Sequence, residues 1–233
     1  MRRKFARSKN IFITGTGTDI GKTYVTGLII KKLNSLGKSA AYYKAAMSGN
    51  KRRTDGTLIP GDALQVKNMS GISQPLSEMC HYIYENAVSP HLASRLEGNP
   101  VQMETVKQGF NLVCDKYDYV TMEGSGGILC PICFDEYIIQ LEDIIKELKL
   151  STIIIADAGL GTINSVVLTV EYMKAKNISV KGIIFNHFHP MDIMEEDNIK
   201  MCEYMTGLKV LACVKDGDDD IDISADLLLS LYE

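Results

Sequence analysis

The 233-residue chain has no apolar run near the ~18 residues that a membrane-spanning helix needs, so no membrane partner is expected. It has little excess charge, a formal net of −4 from 25 Lys and Arg against 29 Asp and Glu. Neither a general nucleic-acid surface nor a footprint for anionic lipid is therefore expected. There is no repeat, no low-complexity tract and nothing that reads as a linker, which leaves one domain over residues 1–233 as the default. The six cysteines are scattered through a chain too large to need disulfide staples, and a reducing cytoplasm fits that usage. The basic start, Arg2-Arg3-Lys4 with Arg7 and Lys9, precedes only a short apolar run that turns polar at Thr14. It reads as a solvated arm over residues 1–9 rather than a signal peptide or twin-arginine leader.

What is present begins with Ile11-Phe12-Ile13, a β-branched and aromatic strand that runs into Thr14-Gly15-Thr16-Gly17-Thr18-Asp19-Ile20-Gly21-Lys22-Thr23. This glycine-bearing loop ends in Gly-Lys-Thr and opens a helix, the arrangement of a phosphate grip. A triphosphate held there meets backbone N–H groups, the positive end of a helix dipole and the Lys22 ammonium, with the Thr23 hydroxyl placed to ligate Mg²⁺. The usual first glycine of such a loop falls on Thr16, and Gly15 stands one residue further out. After the loop, Val25, Leu28, Ile29, Leu33 and Leu36 share one helical face with Lys31 and Lys32 opposite.

The remaining pattern alternates strand and helix. Strands are expected at 39–44, 119–122, 152–156, 180–185 and 210–214, and helices from Asp62 and over 163–176, 191–205 and 225–232. The strands are apolar throughout instead of alternating, which is what a parallel sheet covered on both faces demands. The fold class is therefore α/β, a doubly wound, mostly parallel sheet with helices on both faces, with ligands outside the carboxyl ends of the strands.

That rule selects the polar residues that follow strands. Lys44 follows the second strand, Glu123 the central one and Asn186 a later one. Glu123 has the placement of an acid that holds Mg²⁺, or of a strand-end carboxylate facing solvent. The following Gly124-Ser125-Gly126-Gly127 bares N–H groups for an anion. Asp62 supplies a second carboxylate for the metal, or simply caps a helix. Gly159-Leu160-Gly161-Thr162 before a helix exposes donors of the same kind. Cys130-Pro131-Ile132-Cys133 has redox or half-zinc spacing but no companion pair, and His187 and His189 lack a third ligand, so neither is expected to hold a metal.

Together these residues resemble the dethiobiotin synthetase family, ATP-dependent enzymes that close the ureido ring in biotin synthesis. The resemblance runs from Ile11 to about Val214. It is carried by Thr14-Gly15-Thr16 with Thr18 and Gly21-Lys22-Thr23, by Tyr43-Lys44 with Ser48-Gly49, by Gly61-Asp62-Ala63, and by Ser89-Pro90-His91-Leu92-Ala93 with Glu97-Gly98. Glu123-Gly124 with Gly126-Gly127, Leu160-Gly161-Thr162-Ile163-Asn164 and Tyr204-Met205 complete it. The resemblance implies ATP and Mg²⁺ as cofactors, and 7,8-diaminononanoate with CO₂ or bicarbonate as substrates. It implies that Lys22 and Lys44 are catalytic, bracketing the carbamate and γ-phosphate, with Mg²⁺ on Thr23, Asp62 and Glu123. The nucleotide side falls to Asp19, Ile20, Gly21, Lys22, Thr23, Gly124, Ser125 and Gly126, with Asn186 at the adenine edge and His187 beside it. Thr18 and Ser48 take the diamine or carbamate end. Leu160, Gly161, Ile163, Asn164 and Tyr204 take the substrate carboxylate of a neighbouring subunit in a homodimer with shared sites.

The chain departs from the family pattern at Ala45, where Pro is usual, at Gly17, where Asp is usual, and at Val214-Lys215, where Ile-Pro is usual. The acidic run Asp218-Asp219-Asp220 with Asp222 offers a carboxylate to the ribose, although a charge run is expected to be a solvated loop. Two rival classes share the phosphate grip. Partition or division-site switch ATPases carry an extra lysine early in the loop, where this chain has Thr14-Gly15-Thr16-Gly17, and corrinoid amidoligases carry a glutaminase domain that 233 residues do not hold.

Overall fold

The computed structural model describes residues 8–233. The chain runs β1 (Lys9–Gly15), α1 (Lys22–Ser35), β2 (Ala40–Met47), α2 (Gly61–Ser70), β3 (Cys80–Ile83), α3 (Pro90–Leu96), α4 (Met103–Cys114) and β4 (Tyr119–Glu123). It continues through β5 (Pro131–Phe134), β6 (Ile138–Gln140), α5 (Leu141–Leu148), β7 (Thr152–Asp157), α6 (Thr162–Ala175), β8 (Val180–Asn186), α7 (Ile193–Thr206), β9 (Val210–Cys213) and α8 (Ala225–Leu231).

Seven strands form one sheet in the order β3-β2-β4-β1-β7-β8-β9, every neighbouring pair parallel. Successive side chains of each strand enter opposite faces. In β1, Phe12 joins a core with Met122, Ile154 and Phe185, covered by α4 through Phe110 and by α6 through Val166 and Val170. Ile11 and Ile13 join the other core with Ile153, Ile155 and Ile184, under Leu28 and Ile29 of α1, Val66 of α2 and Leu228 of α8. Each such side chain removed from water contributes about 1.5–3 kcal/mol. Continuous apolar strands thus mark a sheet with two cores, as the sequence pattern required. The β5–β6 hairpin is antiparallel and separate from this sheet.

Several expectations change. Lys44 does not end its strand: β2 runs on to Met47, because Ala46 and Met47 pair with Tyr82 and Ile83 of β3, an edge strand interrupted by His81 that the pattern did not reveal. Arg2, Arg3, Lys4 and Arg7 of the expected arm lie outside the described residues. Its last two residues are not arm at all, since Ser8 is buried and Lys9 opens β1 opposite Tyr119. Helices α3, α4 and α5 were also missed, although α4 carries a readable signal in Val106, Phe110 and Val113, all buried on one face. The capping box of Gln140 and Asp143 likewise marks the start of α5.

Candidate active site

The loop between β1 and α1 is tightly folded. A Cβ on Gly15 would lie 2.4 Å from Ile20 Cδ1, and one on Gly21 would lie 2.1 Å from Asn186 Nδ2. Gly21 also has φ +80 and serves as the N-cap of α1, a left-handed position that favours glycine. Helix α1 has no side-chain cap and no acid in its first turn. Its N-terminal N–H groups and dipole therefore suit an anion. Lys22 is buried, and its Nζ donates to the Gly17 carbonyl at 2.7 Å. Burial first, and the nearby Lys44 charge second, pull its ammonium below the usual lysine value, and the attraction of Glu123 does not offset them.

Beside it stands a closed charge cluster. Lys44 and Glu123 are level with each other across β2 and β4. Lys44 Nζ lies 2.8 Å from Glu123 Oε1 and 2.6 Å from Asp62 Oδ2. Burial pulls the Lys44 ammonium down, but Glu123 and Asp62 outweigh it and hold it above the usual lysine value. Glu123 Oε1 also accepts from the Thr23 hydroxyl at 2.8 Å, and Oε2 accepts from Tyr42 Oη at 3.1 Å. Burial and then Glu123 push the Tyr42 phenol well up, so it stays a donor. Asp62 lies in the first turn of α2 and not at its cap, which is Pro60. Glu123 is thus buried, and Asp62, although 38% exposed, reaches in to Lys44 instead of capping its helix.

These groups line one cleft of about 800 Å³. It brings together Thr18, Asp19, Gly21, Lys22, Thr23 and Lys44 with Ser48, Asp62, Glu123, Ser125 and Gly126. Gly124 is not among the lining residues. It is buried where a Cβ would lie 2.8 Å from Leu141 and 3.0 Å from the Phe12 ring, so the backbone packs closely there. Asn186 and His187 sit behind the loop, where Asn186 Nδ2 donates to the Ile20 carbonyl at 3.1 Å. Ser89 and Pro90 at the start of α3 complete the rim.

A family model described as an AAA domain matches residues 9–219. The ATP-dependent dethiobiotin synthetase BioD of Brachyspira hyodysenteriae is 51% identical over 211 residues, 90% of this chain and 93% of that protein. This chain belongs to the dethiobiotin synthetase family. The protein of the same name from Clostridium botulinum strain 657 is 48% identical over 225 residues, covering 97% of this chain and 98% of that one. Among solved structures, the MinC:MinD cell division protein complex of Aquifex aeolicus superposes with a TM-score of 0.56 over 95% of this chain and 85% of that chain. At 13% identity that likeness shows the fold alone.

Against the dethiobiotin synthetase pattern, the departures now have positions. Gly17 gives its carbonyl to Lys22 and brings no carboxylate, and Ala45 is buried beside Lys44. The acidic run is a solvated loop, with Asp219 95% and Asp220 58% exposed, but it is anchored. The Asp218 carbonyl accepts from the Tyr24 hydroxyl, the Asp219 carbonyl from Lys31 at 2.5 Å, and Asp220 pairs with Lys32 at 2.7 Å. Tied to α1 in this way, it borders a second cleft of about 650 Å³ with Phe188 and Pro190.

The proposed carboxylate-end residues Leu160, Gly161, Ile163, Asn164 and Tyr204 are not brought to the main cleft within one chain. They lie at the start of α6 and on α7, with Leu160 90% and Tyr204 84% exposed; Met191 and Ile193 at the start of α7 are exposed too. The two cysteines of the C-x-x-C diverge: Cys130 lines the cleft, with its thiol pushed up by burial, while Cys133 is buried in the core. Sequence reasoning missed Tyr42, the buried Gln74 that braces it through Tyr42 N at 2.8 Å and O at 3.0 Å, and Asp157. For Tyr42 the available signal was a tyrosine two residues before Lys44, on the same strand face.

Proposed function

We propose that this chain is an ATP-dependent ligase that makes dethiobiotin from 7,8-diaminononanoate and CO₂, releasing ADP and phosphate. The observation that carries the reading is the convergence of Lys22, Thr23, Lys44, Asp62 and Glu123 on one cleft at the carboxyl ends of β1, β2 and β4. Family membership at about half identity over nearly the whole chain supports it.

In this reading one amine of the substrate adds to CO₂ and forms a carbamate. A carbamate oxygen attacks the γ-phosphorus of ATP, the bond to ADP breaks, and a carbamic-phosphoric anhydride results. The second amine then attacks the carbonyl carbon, closing the ring and expelling phosphate. The substrate supplies the nucleophile, so the protein contributes position and charge. Lys22 and the α1 N-terminus hold phosphate oxygens, and Lys44 faces the carbamate. Thr18 and Ser48 hydrogen-bond the diamine or carbamate end, while Asp19, Ile20 and Gly21 with Ser125 and Gly126 line the phosphates. Asn186 reads the adenine edge, with His187 adjacent.

One hydroxyl and two carboxylates, from Thr23, Asp62 and Glu123, make a hard-oxygen set that suits Mg²⁺. When bound, Mg²⁺ neutralises phosphate charge. The exposure of Leu160, Ile193 and Tyr204 supports a homodimer in which residues of α6 and α7 cover the far end of the partner's substrate. No helix among the described residues is long and apolar enough to cross a membrane, and Cys80, Cys130, Cys133, Cys202 and Cys213 form no disulfide, which agrees with a cytoplasmic enzyme.

The test is turnover. Folded protein with ATP, Mg²⁺, bicarbonate and 7,8-diaminononanoate is expected to yield dethiobiotin by mass spectrometry, with one ADP per ring closed. Phosphate release that ignores the diamine and responds instead to lipid, DNA, or a corrinoid with glutamine would overturn the assignment.

A further inference from the structure

Asn186 closes β8 beside the phosphate loop, and its neighbours fix which end of its amide points where. Nδ2 lies 3.1 Å from the Ile20 carbonyl, a group that only accepts, so that end is the NH₂. The same nitrogen lies 3.0 Å from His187 Nε2, which must therefore accept as well. The imidazole proton then sits on Nδ1, and it meets Asp157 Oδ2 at 2.7 Å. Asp157 is itself held, its Oδ1 accepting from the Gly159 N–H at 2.8 Å. Asp216 is 3.9 Å from His187 Nε2, beyond hydrogen-bond reach.

Two oddities remain at this relay. Asn186 Oδ1 is buried without a hydrogen-bond partner, although both amide hydrogens are engaged. His187 holds a left-handed backbone, φ 54, which a residue other than glycine adopts only where its surroundings compel it. One account covers both. An amide locked from behind presents its oxygen as an acceptor awaiting a donor from outside the chain.

We propose that His187, pinned by Asp157, is a positioning residue that holds the Asn186 amide with its oxygen as the base-reading atom. The site thereby selects nucleotides whose base carries an exocyclic amine over those with a carbonyl at the same place. The inference rests on the reading of Asn186 as the base-side residue given above. Adenine and cytosine offer an amine to Oδ1, whereas hypoxanthine and uracil set a carbonyl against it, lone pair to lone pair. Asp157 sets the imidazole tautomer, and the imidazole together with the Ile20 carbonyl holds the amide.

Calorimetric binding to the whole protein, with Mg²⁺ and no diamine, tests this apart from turnover. Wild type is expected to bind ATP roughly 10- to 100-fold more tightly than ITP, and CTP more tightly than UTP, the cost of facing a buried acceptor with an acceptor. His187→Ala and Asp157→Asn, each checked for native circular dichroism, bring the ATP:ITP ratio toward 1. His187→Gln, whose Oε1 stands near the place of Nε2, restores part of it. Equal binding of ATP and ITP by wild type overturns the proposal, as does a wild-type ratio in folded His187→Ala. If dethiobiotin forms but the bases are not distinguished, this inference fails and the assigned reaction stands. If the bases are distinguished but no dethiobiotin forms, the reverse holds.

Discussion

Replacing Lys44 with methionine unpairs the most deeply buried charge in the protein. The Lys44 ammonium lies 2.6 Å from Asp62 and 2.8 Å from Glu123, and the side chains of Lys44 and Glu123 are 7% and 0% exposed. At an effective dielectric of about 20 each contact is worth ~6 kcal/mol of attraction, most of it offset by the cost of desolvating both ions. Asp62, 38% exposed, regains water when the lysine leaves and contributes little. Glu123 cannot. It keeps the hydroxyls of Thr23 and Tyr42 and the weaker attraction of nearby Lys22 but no ion-pair partner, so the cost of breaking a buried pair applies, about 3–5 kcal/mol. For a chain of 233 residues this is a fall in Tm of roughly 6–20 °C. Methionine nearly preserves the volume, so a cavity adds little.

The pH dependence follows. The folded ammonium is held above the usual lysine value, so its stabilising contribution is full below the unfolded pKa of about 10.4 and is lost only as pH rises beyond that. Between pH 5 and 8 wild-type Lys44 therefore contributes a constant amount. Adding Glu123→Gln to Lys44→Met leaves no unpaired charge and recovers a large part of the loss, read as coupling in a double-mutant cycle. Urea unfolding followed by circular dichroism measures all three variants. A Lys44→Met protein within about 1 kcal/mol of wild type at pH 7.5 would refute the reasoning.

In turnover, Lys44→Ala is expected to retain ATP binding but lose about 10²-fold or more in the chemical step, measured by single-turnover kinetics. Because burial and Lys44 hold the Lys22 ammonium below its usual value, nucleotide binding should take up protons on the alkaline side. Affinity should fall as pH rises through that range, which calorimetry in buffers of different ionisation enthalpy detects. Mixing Lys22→Ala with Tyr204→Ala subunits is expected to restore activity toward about half of wild type per mixed dimer, since one of its two sites is then intact; demonstrated exchange without recovery places Tyr204 outside the partner's site. Cys130→Ser with Cys133→Ser should leave turnover within about twofold, because the two thiols serve different surroundings.

How much of this was legible depended on whether cause and effect lay close along the chain. The phosphate loop was readable because strand, glycines, lysine and helix are contiguous, and the sheet because both-face burial writes unbroken runs such as Thr152–Asp157. Lys44 was found but misplaced at a strand end, since what extends β2 is pairing with Cys80–Ile83, a short edge strand with a polar interruption. The anchoring of the acidic run to α1 was hidden for a similar reason. Its partners Tyr24, Lys31 and Lys32 are on α1, and Lys31 and Lys32 read only as the polar face of that helix. The Asp157 to His187 to Asn186 relay left no sequence trace, because it depends on β7 and β8 pairing with Asp157 opposite Asn186.

The two lysines of the cleft divide the electrostatic work by their surroundings. Lys22 has no carboxylate within ion-pair distance among the described residues, and its only hydrogen-bond acceptor there is the Gly17 carbonyl, so it is a desolvated cation whose charge gains most from an arriving polyanion. Lys44 is the reverse, already neutralised by Asp62 and Glu123, and it gains little from an anion while those carboxylates remain its own. In the proposed reaction, a divalent cation held by Thr23, Asp62 and Glu123 would compete for the same carboxylate oxygens and leave Lys44 free to face the carbamate. Metal and substrate should therefore bind cooperatively through Lys44, whereas the grip of Lys22 on phosphate needs no such exchange.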